Sequence, residues 1–218
     1  MPAQQIKTHL RNFVQETLLY DFWFRFQRKR LYNSWHKSGK NGPMPAFAKE
    51  LMLRQAAREN CIRVLIETGT LWGETIYALR KMFSQIYSIE LSAELANAAI
   101  YRFKFRKHIR IVQGDSSQKI PEIIRGIDMP ILFWLDGHYS GSITAKGQRE
   151  TPILEELKAI FAHHRNDHVI LIDDARCFTG ANDYPTMDTL STFVKSSKRY
   201  NFIDVMDDVI VIKNVLQS

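Results

Sequence analysis

Carboxylates close one short apolar run after another in this chain. Glu67 ends IRVLIE, Glu90 ends IYSIE, Asp115 follows IRIVQ across a glycine, Asp136 closes PILFWL, and Asp173-Asp174 closes HVILI. If these runs are neighbouring strands, Asp136, Asp173 and Asp174 converge at one rim. Carboxylates so crowded repel unless a proton or a cation neutralises them. An oxygen-only ligand set suits a hard divalent ion such as Mg2+, Ca2+ or Mn2+. His138 stands two residues past Asp136 and is the candidate general base. A metal-bound hydroxyl is more acidic than a free one, and an imidazole can take its proton near neutrality. The plainer alternative is that Asp173 or Asp174 caps the next helix and Asp136 touches only a bound cofactor. His163, His164 and His168 cluster around a helix end and are assigned no chemistry.

The elements that must position these groups follow from periodicity. Strands are predicted at 62–67, 86–90, 109–113, 130–135, 168–172, 200–206 and 208–213. Helices are predicted near 74–82, 92–104, 117–125, 150–164 and 186–198, with one or two more over 5–37 and another over 46–59. Short apolar runs alternating with helical stretches mark βαβ units on a parallel sheet. The last two strands are nearly contiguous and can only pair antiparallel, because a parallel crossover needs a dozen or more residues. The expected fold is therefore α/β: a Rossmann-like, doubly wound, mostly parallel seven-stranded sheet with a C-terminal antiparallel hairpin, preceded by a helical extension. The breaker cluster Ser38-Gly39-Lys40-Asn41-Gly42-Pro43 is a linker, and the expected division is 1–60 and 61–218. Gly69, Gly73, Gly114, Gly137, Gly141, Gly147 and Gly180 all follow predicted strands. Loops at the carboxyl ends of parallel strands form the ligand crevice of open α/β sheets.

The loop Glu67-Thr68-Gly69-Thr70-Leu71-Trp72-Gly73-Glu74-Thr75 joins the first strand to a helix, with its glycines four apart. Such a junction lets backbone approach a ligand beside free helix N–H groups. An acidic residue about 20 positions on, here Glu90, sits where a ribose diol is bound. This ordered set, with Gly114-Asp115-Ser116 after the third strand, resembles the class I S-adenosylmethionine-dependent methyltransferases over residues 61–214. The reversed last strand resembles that family's sheet as well. The resemblance implies S-adenosylmethionine as cofactor. It implies cofactor contacts from Glu67, Gly69 and Gly73 at the methionine end, from Glu90 at the ribose, from Asp115 and Ser116 at the adenine, and from Thr68, Thr75 and Asp136 as well. Leu71 stands where many members have a further glycine, and Glu67 where Asp is commoner. GxGxxG, which a nicotinamide site would want, is absent.

Asp136 paired with Asp173-Asp174 is similar to the metal-dependent, macrocin-type sugar O-methyltransferases. That similarity implies a three-carboxylate site for Mg2+ or another hard divalent cation, and a hydroxyl acceptor on a sugar or polyol-bearing small molecule. The wording past Asp174 departs from those enzymes. Strand four ends in LDGHYS, not in the [DN]PP[YF] wording that holds a planar nitrogen, which favours a hydroxyl over a base amine. A related Rossmann-type enzyme, hydroxylase-like, is the rival use of the same carboxylates.

Composition bounds the rest. The chain of 218 residues is 45% hydrophobic and 24% charged, which is globular composition with ample length for a core. Residues 1–60 hold 11 Lys+Arg against 4 Asp+Glu, whereas 61–218 hold 19 of each. The basic excess therefore says nothing of the reaction and everything of the front end. There, Phe22-Trp23-Phe24-Arg25-Phe26-Gln27-Arg28-Lys29-Arg30-Leu31-Tyr32 mixes aromatics with cations. A nucleic-acid grip, a peripheral membrane contact through residues 20–37, and a helical lid over the acceptor are the three readings. The lid is preferred, nucleic acid is disfavoured, and a degenerate methyltransferase body that only binds is the rival outside enzymes. Arg102–Lys107 reads as a solvated helix end. No run of about 18 apolar residues occurs, the N-terminus does not read as a secretory signal, and Cys61 and Cys177 have no CxxC spacing. A cytoplasmic setting is the expectation; the oligomeric state is open.

Overall fold

A computed structural model describes residues 18–40, 42–136 and 152–215. The chain forms two compact units, Met1–Leu51 and Met52–Ser218. In the first, helix α1 (Leu18–Lys37) is followed across a turn by the start of helix α2 (Ala46–Glu59). Phe24, Arg28 and Trp35 share one side of α1 and are buried. Arg28 fixes the pairing of the two helices: its Nη1 meets Glu50 Oε2 at 2.8 Å and its Nη2 donates to the Ala46 carbonyl at 2.6 Å.

The second unit is a seven-stranded sheet. Its strands are β1 (Val64–Thr68), β2 (Gln85–Glu90), β3 (Ile109–Gln113), β4 (Ile131–Leu135), β5 (Val169–Ile172), β6 (Phe202–Met206) and β7 (Val209–Lys213), in the order β3-β2-β1-β4-β5-β7-β6. From β3 to β5 all neighbours are parallel, and β7 runs antiparallel to both β5 and β6. This is the doubly wound α/β architecture expected from the alternation of apolar runs and helices. The connecting helices are α3 (Glu74–Leu79), α4 (Ala93–Phe103), α5 (Ser116–Ile124), α6 (Ile153–Phe161) and α7 (Met187–Ser196).

Burial explains why these segments are strands. Every residue of VLIET, ILFWL and VILI is buried, as parallel strands covered on both faces require. The core runs through Ile66, Phe133, Ile170, Ile120, Leu157 and Ile212, all fully buried. Each such side chain contributes about 2 kcal/mol relative to exposure.

Two predicted boundaries shift for identifiable reasons. The first strand begins at Val64, not at residue 62, because Ile62 still belongs to the end of α2. Its N–H reaches the Ala57 carbonyl at 2.8 Å around Cys61, which is left-handed at φ 53°. The strand consequently runs one residue further, to Thr68. Helix α3 stops at Leu79 instead of 82, because the Met82 N–H takes the Leu79 carbonyl and tightens the last turn.

Candidate active site

The site is built at the carboxyl ends of β1, β2, β4 and β5. Registry brings its acids together. Leu135 pairs with Ile172, so Asp136 and Asp173, each one residue further, leave the sheet side by side. The Asp173 N–H donates to the Leu135 carbonyl at 3.0 Å and locks the two exits together. Ligand-capable oxygens of Asp136, Asp173 and Asp174 all lie within 4.8 Å of one another. Asp173 and Asp174 are buried and Asp136 is half-buried.

The backbone turns sharply there. Asp174 is left-handed at φ 56°, and its N–H donates to Asp173 Oδ1 at 2.9 Å. Asp174 occupies the capping position of the 3-10 turn Ala175–Cys177, yet its side chain makes no cap hydrogen bond. Its Oδ1 instead meets Arg176 Nη1 at 2.8 Å. Arg176 also bonds Asp208 in the turn between β6 and β7, and the Ala175 N–H donates to the Asp208 carbonyl at 2.9 Å. The acidic end of β5 is thereby strapped to the C-terminal hairpin.

On the other side of β4, the first loop and Glu90 interlock. Glu90 is buried; its Oε2 accepts the Leu71 N–H at 2.9 Å and its Oε1 accepts the Ser92 N–H at 2.9 Å. Gly69 adopts φ 82°, and its N–H reaches the Ile89 carbonyl at 2.9 Å. Gly73, at φ 68°, tolerates no side chain, since a Cβ there would lie 2.8 Å from Phe103 Cε2. That glycine serves packing of the loop onto α4 as well as access.

Beneath the loop lies a buried polar chain. The Thr70 hydroxyl donates to Ser88 Oγ at 2.6 Å, and Ser88 donates to Glu67 Oε2 at 2.6 Å. Burial drives the Glu67 carboxyl up to about 8, with Asp136 and Glu90 adding repulsion against bonds from Ser88 and Thr75. Glu67 is accordingly a neutral acid at pH 7. Thr68, at the end of β1, links Glu156 to the acidic cluster, because its side chain bonds Glu156 and its Oγ1 accepts the Asp136 N–H at 3.2 Å.

Asp115 and Ser116 occupy the exit of β3. Asp115 caps α5, its Oδ1 accepting from Ser117 N–H at 2.8 Å and Ser117 Oγ–H at 2.6 Å. Ser116 is turned instead toward Glu156. His138, the candidate base, lies outside the described residues, as do Gly137, Gly141 and Gly147.

Three participants were missed in the sequence. Glu156 on α6 is buried and bonded by Ser116 and Thr68, and burial lifts its carboxyl to about 7. Its signal was its position, on the same helix face as the buried Ile153, Leu157 and Ile160. Ser88 is a polar residue within an otherwise buried strand. Tyr184 rests its ring on buried Phe178 at 5.2 Å. Burial raises its phenol, and Cys177, Asp174, Asp136 and Asp173 raise it further. It lies in a loop that carries no motif.

No family model matches the chain, and no curated protein matches it in sequence. Solved structures match it in fold. A methyltransferase of Podospora anserina bound to S-adenosylhomocysteine superposes with a TM-score of 0.54 at 16% identity, over 92% of this chain and 97% of that one. An O-methyltransferase from Bacillus cereus, also in complex with S-adenosylhomocysteine, gives 0.56 at 13% identity, covering 85% and 90%. The O-methyltransferase of tomaymycin synthesis from Streptomyces achromogenes, in complex with S-adenosylmethionine, gives 0.53 at 14%, covering 86% and 89%. The chain has the fold of the class I S-adenosylmethionine-dependent methyltransferases.

Proposed function

We propose that the protein is an S-adenosylmethionine-dependent O-methyltransferase acting, with a divalent cation, on a hydroxyl of a small molecule such as a sugar or other polyol. The observation that carries this reading is the convergence of Asp136, Asp173 and Asp174 within 4.8 Å, one strand away from the Gly69–Gly73 loop. A methyltransferase fold supplies the methyl donor's crevice, and the carboxylates supply a reason for the acceptor to be a hydroxyl.

S-adenosylmethionine brings an electrophilic sulfonium methyl. In this chain, Gly69, Gly73 and the Thr68 and Thr75 side chains border the crevice where its amino-acid end would lie. Glu90 suits a ribose diol. A carboxylate offers about four lone-pair sites, and the bonds from Leu71 and Ser92 account for only two of these. Asp115 and Ser116 border the place for the adenine. Asp136, Asp173 and Asp174 form an oxygen-only donor set that fits Mg2+ or a comparable hard ion. Such a cation would acidify a coordinated hydroxyl. His138 is the proton acceptor in this reading, and Tyr184 is a candidate to orient the acceptor. The setting is taken to be cytoplasmic; among the described residues no helix is long and apolar enough to cross a membrane.

Calorimetry with S-adenosylhomocysteine tests the reading. Binding by the wild type and a loss of about tenfold or more in Glu90→Ala are expected, since a buried carboxylate bond is worth about 1.5–3 kcal/mol. No binding by the wild type sinks it. Undiminished methyl transfer in excess EDTA removes the cation alone.

A further inference from the structure

Helix α1 carries apolar residues on both sides, one set buried and the other exposed. Phe24, Arg28 and Trp35 are buried, whereas Phe22 is 73%, Trp23 55%, Phe26 57% and Leu31 63% exposed. At about 100° per residue, Phe22, Phe26 and Trp23 fall within an arc of about 100°, opposite the buried side. Lys29, Arg30 and Lys37 border or continue that arc, with Arg25 beside it, and all four are exposed. Asp21 is the helix's only acidic residue. The one cation withdrawn from this set is Arg28, which Glu50 neutralises on the buried side.

We infer that the outward side of α1 is a docking surface for an anionic phospholipid bilayer, with Phe22, Trp23 and Phe26 entering the headgroup layer and Arg25, Lys29, Arg30 and Lys37 meeting the lipid phosphates. Aromatic and cationic side chains together on one helical face are what an interfacial helix needs: rings that bury at the acyl boundary and charges that find an anionic surface. A second copy of the chain is the wrong occupant, because this helix brings only Asp21 as an acid and leaves the partner's cations without anions to meet. Nucleic acid would meet the cations, but the rings lead this face at its N-terminal end and the cations follow. The inference stands whether or not the methyltransferase reading does.

Co-sedimentation of the full-length protein with vesicles tests it. Binding to phosphatidylcholine–phosphatidylglycerol vesicles, little binding to phosphatidylcholine alone, and weakening with added salt are expected. Lys29→Glu/Arg30→Glu and Phe22→Ser/Phe26→Ser should each lower the vesicle partition about tenfold or more. Circular dichroism and S-adenosylhomocysteine affinity, which report the folded state, should match the wild type. Absence of binding to the anionic vesicles overturns the inference, as does equal binding by both double variants. Tight binding of a single-stranded oligonucleotide without vesicle binding assigns the face to nucleic acid instead. A dimer that Phe22→Ser/Phe26→Ser disperses assigns it to a second copy.

Discussion

The two ends of the sheet both bury ionisable side chains, and they treat them in opposite ways. At the amino end of β4 and β5, His168 and His163 form a closed relay. The Ile131 N–H donates to His168 Nδ1 at 3.1 Å, His168 Nε2 meets His163 Nδ1 at 2.9 Å, and His163 Nε2 reaches the Ile124 carbonyl at 3.1 Å. The direction of the first bond dictates the rest: His168 Nδ1 must accept, so each Nε2 carries the proton and donates onward. Every ring nitrogen is satisfied by two neutral imidazoles. At the carboxyl end, five acids (Glu67, Glu156, Asp136, Asp173 and Asp174) gather, and Arg176 pairs with Asp174 among them. A saturated relay is what a fold makes for its own stability. Carboxylates crowded within 4.8 Å at a strand rim are the kind of arrangement that ligand sites are built from.

This contrast can be broken experimentally, and the largest effect belongs to the carboxyl end. Asp173→Asn should lower methyl transfer by about a hundredfold or more while the thermal midpoint stays close to wild type. A variant with full turnover would place the carboxylates on the structural side of the comparison. His168→Leu should do the reverse. Stranding the Ile131 N–H and His163 Nδ1 costs about 2–4 kcal/mol in urea unfolding, with S-adenosylhomocysteine affinity unchanged in the folded fraction.

Titration separates the ends by sign. Glu67 and Glu156 hold their protons up to about 8 and about 7 when folded, from 4.5 in the unfolded chain. The unfolded state therefore sheds these protons first, and their contribution to stability falls as pH rises from 4.5 to about 8. Burial lowers His168 to about 4 from 6.5, so its contribution is lost as pH falls through that window. The two trends oppose each other between 4.5 and 6.5, and above 6.5 the acids act alone. Stability should decline from pH 6.5 to 8 by up to about 1.4 kcal/mol per unit from Glu67, with Glu156 adding to the slope only up to about pH 7. Glu67→Gln should flatten the decline; an unaltered slope in that variant would show that Glu67 is ionised in the fold. The smallest effect lies beside the relay. Asp128 meets His164 at 3.0 Å and Arg165 at 3.3 Å in the open, so Asp128→Asn should leave the urea midpoint unchanged.

How much of this was legible follows the same division. Acidic strand ends stand out in sequence because a carboxylate after an apolar run breaks the pattern, and the sheet order then brings Asp136 to Asp173. The first strand was misplaced by two residues because Cys61-Ile62 closes a helix through a left-handed residue that need not be glycine, which leaves no mark in residue type. Glu156 hid in ILEELKAIF, where an acid in the first helical turn is favourable on electrostatic grounds alone. Ser116 at the neighbouring helix start and Thr68 at the end of β1 hold it inward. His163 and His168 were dismissed as helix-end residues because their partnership spans a loop, and two backbone groups from α5 and β4 complete it.

The strap from Asp174 through Arg176 to Asp208 has a practical consequence. The hairpin turn at Asp207-Asp208 lies beyond the last helix, in a segment with no candidate chemistry of its own, yet it grips the same guanidinium as an acid of the cluster. Any ligand that draws charge from Asp174 must redistribute Arg176 between its two carboxylates. The amide resonances of Ala175 and Arg176, whose N–H groups donate to the Asp208 carbonyl at 2.9 Å and to Asp208 Oδ1 at 3.1 Å, should shift with it. Those two signals form a built-in spectroscopic gauge of occupancy, readable before any acceptor has been identified.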